Sequence, residues 1–253
     1  MPKHFRLIVG EWDPWMNMAI DEAVMYARGM GAVPDTVRLY VFSPSAVTIG
    51  YFQSLRSTVN IGLAKELGVP VVRRVSGGGA VYHDEFGEVT YSVVLPEDSV
   101  PRDFEESFRY LTEAVVRAAR KLGLPADYVP LNDVVVEGRK ISGQAQARKR
   151  GVVLQHGTFM YATNIDLLAS LLTPPAAKLA EKGIASIKDR VITASQYLGR
   201  VVSKEEVINA FIEAFEEVLD AEPMRGRLTP LELDLAKSLK WKYSSSEWLS
   251  LRP

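Results

Sequence analysis

The sequence predicts one α/β domain of the α+β type over residues 1–253, with mixed, largely antiparallel sheets flanked by helices. Three observations lead there. Short β-branched and aromatic runs are joined by brief turns rather than by crossover helices, which argues against a purely parallel, doubly wound sheet. Segments with a 3.6-residue apolar period alternate with them and gather toward the C-terminus. No internal repeat, low-complexity stretch or long linker divides the sequence.

Each element has its own signal. Phe5 to Val9 reads as a strand. Asp13-Pro14 reads as an N-cap followed by proline at the first helical position, and Met16, Ala19, Ile20, Ala23 and Ala27 then recur on one helix face until Gly29 and Gly31. Val37–Phe42, Ala46–Ile49 and Val69–Val72 are short apolar runs bounded by turn residues, and Ala80–Tyr82 and Val89–Leu95 follow. Phe104, Phe108, Leu111, Val115 and Leu122 mark a long amphipathic helix. Val134–Val136, the turn Glu137-Gly138-Arg139 and a strand from Lys140 read as a hairpin, with a partner strand from Val152 to Tyr161. In the helical last third, Ser203-x-x-Glu206 and Thr229-Pro230-x-Glu232 are capping boxes.

Composition narrows the function. A hydrophobic fraction of 47% and a charged fraction of 24% are those of a soluble globular domain able to bury a core without disulfides. A formal net charge of −1 gives no electrostatic case for nucleic acid, and the run Arg148-Lys149-Arg150 reads as a solvated hairpin tip. There are no cysteines, which removes disulfides, thiolate metal sites and thiol nucleophiles, and fits a reducing cytosol. No apolar run of membrane-spanning length is present. The expectation is a cytoplasmic protein with neither membrane nor nucleic-acid partner.

Three segments carry candidate chemistry. Arg73-Arg74-Val75-Ser76-Gly77-Gly78-Gly79 leads through Ala80, Val81 and Tyr82 to His83 and Asp84. Three glycines between strands leave backbone N–H groups open to a phosphate or acyl chain, with two arginines before and a histidine after. The plainer reading is a glycine turn with solvated arginines, and the segment is neither a Walker A loop nor a dinucleotide fingerprint. Asn132-Asp133 is followed across a strand and turn by Arg139-Lys140-Ile141-Ser142-Gly143. There Lys140 offers a fixed cation for carboxylate and phosphate oxygens, and Asp133 a hard oxygen suited to Mg²⁺. Taken alone, Lys140 reads as a solvated turn charge. In Gln155-His156-Gly157-Thr158, His156 either orients a substrate or is a satisfied strand histidine.

Together these segments resemble the lipoate–protein ligase family, within the wider group that includes biotin–protein ligases and octanoyltransferases. The resemblance also takes in Asp13 to Ala19, Thr48 to Gln53, Lys182-Gly183-Ile184-Ala185-Ser186 and Tyr243 to Trp248, in the family's order. It implies the biotin/lipoate ligase catalytic fold and a two-step reaction: lipoic acid and ATP give lipoyl-AMP and pyrophosphate, and a carrier lysine then takes the lipoyl group. It implies ATP and Mg²⁺ as cofactors. The carriers would be lipoyl domains of 2-oxoacid dehydrogenase E2 subunits and the glycine cleavage H protein.

By the same resemblance, Lys140 holds the carboxylate and α-phosphate oxygens. Arg74, Ser76, Gly77, Gly78, Gly79, Val81, His83 and Ser142 line or support the acyl-adenylate pocket. Asn132 and Asp133 place phosphate and metal, and His156 closes the acyl side. Thiol-dependent transferases of the group lose their nucleophile here. The alternatives are an octanoyl ligase or octanoyltransferase, and a non-catalytic acyl-adenylate-binding module. Long members of the family carry a small C-terminal domain after the segment resembling Tyr243–Trp248. Its absence here gives the expectation of a separate small accessory subunit, as in archaeal two-component forms.

Overall fold

A computed structural model describes residues 3–173 and 186–252. The resemblance at Lys182–Ala185 lies outside the described residues. Eight strands form the main sheet: β1 (His4–Trp12), β2 (Thr36–Phe42), β6 (Glu88–Pro96), β7 (Ala126–Val129), β8 (Asp133–Val136), β9 (Arg139–Lys149), β10 (Val152–Met160) and β11 (Glu222–Arg225). Their order is β11-β1-β2-β6-β10-β9-β8-β7, and only the β11–β1 and β1–β2 pairs are parallel. A second sheet of three strands, β3 (Ala46–Ile49), β4 (Val71–Arg73) and β5 (Val81–His83), has the order β4-β3-β5. The expected mixed, largely antiparallel architecture is what the chain adopts.

The main sheet is covered on both faces, as its strand alternation dictates. Leu39, Val93 and Val153 point to one core with Leu111 and Val115 of α2 (Phe104–Lys121) and Phe211 and Phe215 of α3 (Lys204–Leu219). The next residue on each strand, Tyr40, Val94 and Leu154, points to the opposite core with Ala19, Ile20 and Ala23 of α1 (Pro14–Gly29) and Ala236 of α4 (Pro230–Ser244). One-residue alternation therefore serves both layers.

Capping works as the sequence indicates. Asp13 accepts the Met16 N–H at 3.0 Å with Pro14 at the first helical position, and both Ser203 and Thr229 form complete capping boxes. Glu232 does more than cap, because its buried carboxylate also takes the Arg6 guanidinium at 2.5 and 2.8 Å and ties α4 to β1. Thr229→Ala removes the cap while leaving that pair. It is expected to cost about 1 kcal/mol, read as a melting temperature lower by roughly 2–4 °C.

Two expectations shift. Val69 and Pro70 precede β4 because the Val69 N–H still closes the exit of the Ile61–Glu66 helix onto Ala64 O at 2.8 Å, through Gly68 at φ +66°. At the Arg148–Arg150 tip, Lys149 and Arg150 are exposed as expected, though they lie over the Tyr26 ring, whereas Arg148 is half-buried and donates to Ser107 Oγ at 2.6 Å. Among the described residues no helix is long and apolar enough to cross a membrane.

Candidate acyl-adenylate site

The β4–β5 connection, the start of β9 and the middle of β10 face one another across an open cleft of about 490 Å³, its solvent mouth included. Arg74, Gly79, Val81, His83, Asn132, Lys140 and His156 line it, so three segments far apart in sequence meet there. A contiguous cleft of about 1200 Å³ shares Gly79, Val81, Asn132 and Lys140, and adds Asp133 together with Met160, Leu168, Leu172 and Ile187. Ser76 and Ser142 are buried behind the wall and reach neither space. Gly77 and Gly78 shape the loop rather than line it.

The loop is wrapped around a guanidinium. Arg74 donates from Nη2 to Gly77 O at 2.8 Å and Gly79 O at 2.9 Å, and from Nη1 to Thr48 Oγ1 at 2.8 Å. Gly78 sits at φ +89°, and a Cβ there would come within 3.3 Å of Arg74 Nη2. Gly50, at the end of β3, approaches so closely that a Cβ on it would lie 2.2 Å from Gly78 O. The carbonyls of Gly77 and Gly79 thus turn inward to the arginine. Burial lowers the Arg74 pKa to about 10, which leaves it cationic at neutral pH.

Arg73 departs from the expected two-arginine cradle. Strand alternation sends it to the other side, where it donates to the carbonyls of Gly50, Gln53, Leu249 and Arg252 at 2.7–3.1 Å. It anchors the C-terminal segment, which includes the short helix α5 (Ser246–Leu249), to the loop's foundation.

Lys140 is aimed by a bulge. The β8–β9 register pairs Val135 with Lys140 and Val134 with Ser142, so Ile141 has no opposite residue. Lys140 Nζ reaches Asp133 Oδ1 at 2.5 Å across Gly143, where a Cβ would lie 2.4 Å from Nζ. Asn132 is clamped by Gln144: its Nδ2 donates to Gln144 O at 2.6 Å, and Gln144 N donates to Asn132 O at 2.9 Å. Gly143→Ala is therefore expected to push the ammonium off Asp133 and lower turnover by about tenfold, while changing stability by less than about 1 kcal/mol. Steady-state kinetics beside a melting curve checks this.

Both histidines are buried and paired with carboxylates. His156 Nδ1 lies 3.0 Å from Asp21 Oδ2, and its Nε2 lies 2.6 Å from Ser76 Oγ. His83 Nδ1 lies 3.2 Å from its hydrogen-bond partner Glu88 Oε1, its Nε2 lies 2.9 Å from Thr48 Oγ1, and its ring stacks on Phe42. Burial pushes the His156 pKa down against the pull of Asp21, so the ring is neutral at pH 7.

Sequence reading missed Asp21, Arg38, Tyr40, Thr48, Glu88 and Gln144. A signal for Asp21 was present. Asn17 and Asp21 stand four apart on the buried side of α1, amid Met18, Ala19, Ile20 and Ala23, and polar residues at core spacing mark a buried polar role. Thr48 falls within a segment of the family resemblance but had no role given to it, and Glu88 and Gln144 sit in ordinary strands and carried no comparable signal.

The mixed-sheet domain thus brings a buried arginine, a lysine–aspartate pair and an asparagine together around one cleft. The chain belongs to the lipoyl protein ligase A/B family: the model described as the lipoyl protein ligase A/B catalytic domain matches residues 13–216. Octanoyltransferase LipM of Brevibacillus brevis is 35% identical over 97% of this chain and 98% of its own. Octanoyltransferase LipM of Bacillus subtilis is 31% identical over 94% of this chain and 95% of its own. Among solved structures, a bi-partite lipoate protein ligase from Thermoplasma acidophilum, described with its E2 lipoyl domain, has a TM-score of 0.85 and 35% identity, covering 98% of this chain and 96% of its own. A lipoate-protein ligase A bound with ATP has a TM-score of 0.84 and 32% identity, covering 98% of each chain. The family resemblance and the expected fold are borne out. The curated relatives, however, carry the name of the alternative activity, octanoyltransferase, rather than that of the ATP-dependent ligase.

Proposed function

We propose that the chain is an ATP-dependent lipoate–protein ligase that activates lipoic acid as lipoyl-AMP and passes the lipoyl group to a lysine of a lipoyl domain. The observation that carries this reading is the absence of any cysteine from a sequence whose cleft holds Lys140 and Arg74. Acyl transfer through an enzyme thioester needs a thiol, whereas adenylation needs cations that offset repulsion between a carboxylate and a polyphosphate. In the first step a carboxylate oxygen attacks the α-phosphorus and pyrophosphate leaves. In the second, the carrier amine attacks the acyl carbon, AMP leaves and the amine gives up a proton.

Lys140, paired with Asp133 in the free protein, would release it to hold oxygens of both reactants. Asn132 and Asp133 would meet the adenylate, and His156, neutral and fixed, adds no charge to repel Arg74. For Mg²⁺, Asp133 supplies one hard carboxylate oxygen. Among the described residues no group of three or more His, Cys, Asp or Glu could hold a metal ion, so water and phosphate would complete the shell, as Mg²⁺ prefers. Bound there, the ion would neutralise phosphate charge.

The partner is a lipoyl domain of the E2 kind named with the Thermoplasma acidophilum ligase. The bi-partite description of that relative also supports a separate small subunit working with this chain. The second reading is an octanoyltransferase, supported by the names of the curated relatives. Pyrophosphate release separates the two. With ATP, lipoate and a small accessory subunit present, the ligase reading expects stoichiometric pyrophosphate. Octanoyl transfer from a carrier thioester at equal rate without ATP would contradict it.

A further inference from the structure

We propose that Asp21 and Glu88 are positioning residues that make the Arg74 end of the cleft selective for a free carboxylate over a neutral acyl derivative. The inference deepens the ligase reading and rests on it, because a ligase takes the acid whereas a thioester-dependent transferase takes an uncharged acyl group.

Among the described residues every hydrogen-bond acceptor around Arg74 is neutral. They are Thr48 Oγ1 at 2.8 Å, Gly77 O at 2.8 Å, Gly79 O at 2.9 Å and Ser76 Oγ at 3.4 Å. Among the described residues no carboxylate pairs with this guanidinium, although it is 4% exposed and lines the cleft. A buried, unpaired cation is costly unless its charge is taken up, and here the open direction is the cleft. An anionic head group entering it would complete Arg74.

Two carboxylates stand one relay behind. Asp21 reaches Ser76 through His156, and Glu88 reaches Thr48 through His83. In both relays Nδ1 faces the carboxylate. In a neutral ring so placed the proton is donated on that side, and the Nε2 lone pair accepts the hydroxyl hydrogen. With its hydrogen committed to the ring, each hydroxyl offers Arg74 only lone pairs.

Neither carboxylate spends its charge on Arg74. Asp21 also pairs with Arg38 and accepts from Tyr40 and Ser92, and Glu88 accepts from Thr90. The relays thus transmit orientation without neutralisation. Asp21→Asn or Glu88→Gln would let an amide N–H face Nδ1, reverse the ring tautomer and turn the hydroxyl hydrogen toward Arg74.

Calorimetric titration of the full chain with octanoate and with octanamide tests this without ATP. The parent is expected to bind octanoate at least about tenfold more tightly, a preference that Arg74→Met removes. Asp21→Asn and Glu88→Gln are expected to reduce the acid-to-amide ratio by threefold or more while octanamide affinity holds. Should Asp21→Asn fail to fold, Glu88→Gln and Thr48→Val, each checked by its melting curve, decide the matter. A ratio unchanged in the folded variants, or equal affinity of the parent for acid and amide, overturns the proposal. The ligase reading fails separately, on the absence of ATP-dependent pyrophosphate release.

Discussion

Lys140→Ala is expected to lower carrier lipoylation by about 10²–10³-fold, the usual loss when a preorganised charge-stabilising group leaves a reaction centre. The side chain is one-third exposed, its pair with Asp133 is the only ion pair it makes among the described residues, and the bulge and Gly143 that aim it remain in the variant. Stability should therefore change by less than about 0.5 kcal/mol, as for surface substitutions. The loss should fall on the rate at saturating ATP and lipoate more than on either KM, because the charge that Lys140 meets grows as the α-phosphate is attacked. Lys140→Arg keeps the charge but replaces a compact ammonium with a planar fork, and should recover only part of the rate. Single-turnover formation of lipoyl-AMP is the direct readout. Parent-level lipoylation by Lys140→Ala would remove this residue from the chemistry.

The largest expected stability effect is at Asp21. Its carboxylate is fully buried beneath β2 and β6, where it meets Arg38, Tyr40, Ser92 and His156. Burial alone would raise its pKa, yet Arg38, the His156 ring and the Ser92 hydroxyl together hold it below the usual carboxylate value. Asp21→Ala leaves the Arg38 guanidinium buried without its anion, and Arg38 Nε already has no hydrogen-bond partner among the described residues. Breaking a buried pair in this way costs about 3–5 kcal/mol, which urea unfolding would show as a lower midpoint.

The pH dependence has a definite sign. A depressed carboxylate contributes stability at neutral pH and loses it as pH falls through the folded-state value. His156 acts in the same direction. Its folded-state pKa lies below the ordinary value of 6.5, so the unfolded chain takes the proton first and stability falls as pH drops below that value. Stability of the parent should thus decline from pH 7 into the acid range, and Asp21→Ala should flatten the part due to the carboxylate. A parent curve that rises toward pH 5 would contradict the neutral, buried His156.

Local signals made most of the fold legible. Asp13-Pro14 and the Ser203 and Thr229 boxes depend only on near neighbours, and the strands from Val37 to Phe42 and Val89 to Leu95 announce themselves by composition. β11 (Glu-Pro-Met-Arg) was not legible, because a short, exposed edge strand held by one parallel partner needs no apolar alternation. The site divides in the same way. Lys140, Asn132, Arg74, His83 and His156 come together as their segments suggested. Arg73 and Arg74 differ only by strand parity, which a sequence bordering a glycine loop does not reveal. The placing of Ser76 and Ser142 behind the wall also depends on tertiary register, as Ser142 accepts from Gln144 within the interior. Asp21 and Glu88 act through histidines far away in sequence, so only the assembled sheet exposes them.

The most direct measurement follows the mass of an E2 lipoyl domain offered two acyl sources in parallel, with this chain and a small accessory subunit present. One reaction contains lipoate, ATP and Mg²⁺, and the other an octanoyl carrier thioester without ATP. The ligase account predicts that the domain gains one lipoyl group in the first reaction and stays unmodified in the second. Modification in the second at a comparable rate, with none in the first, would contradict it.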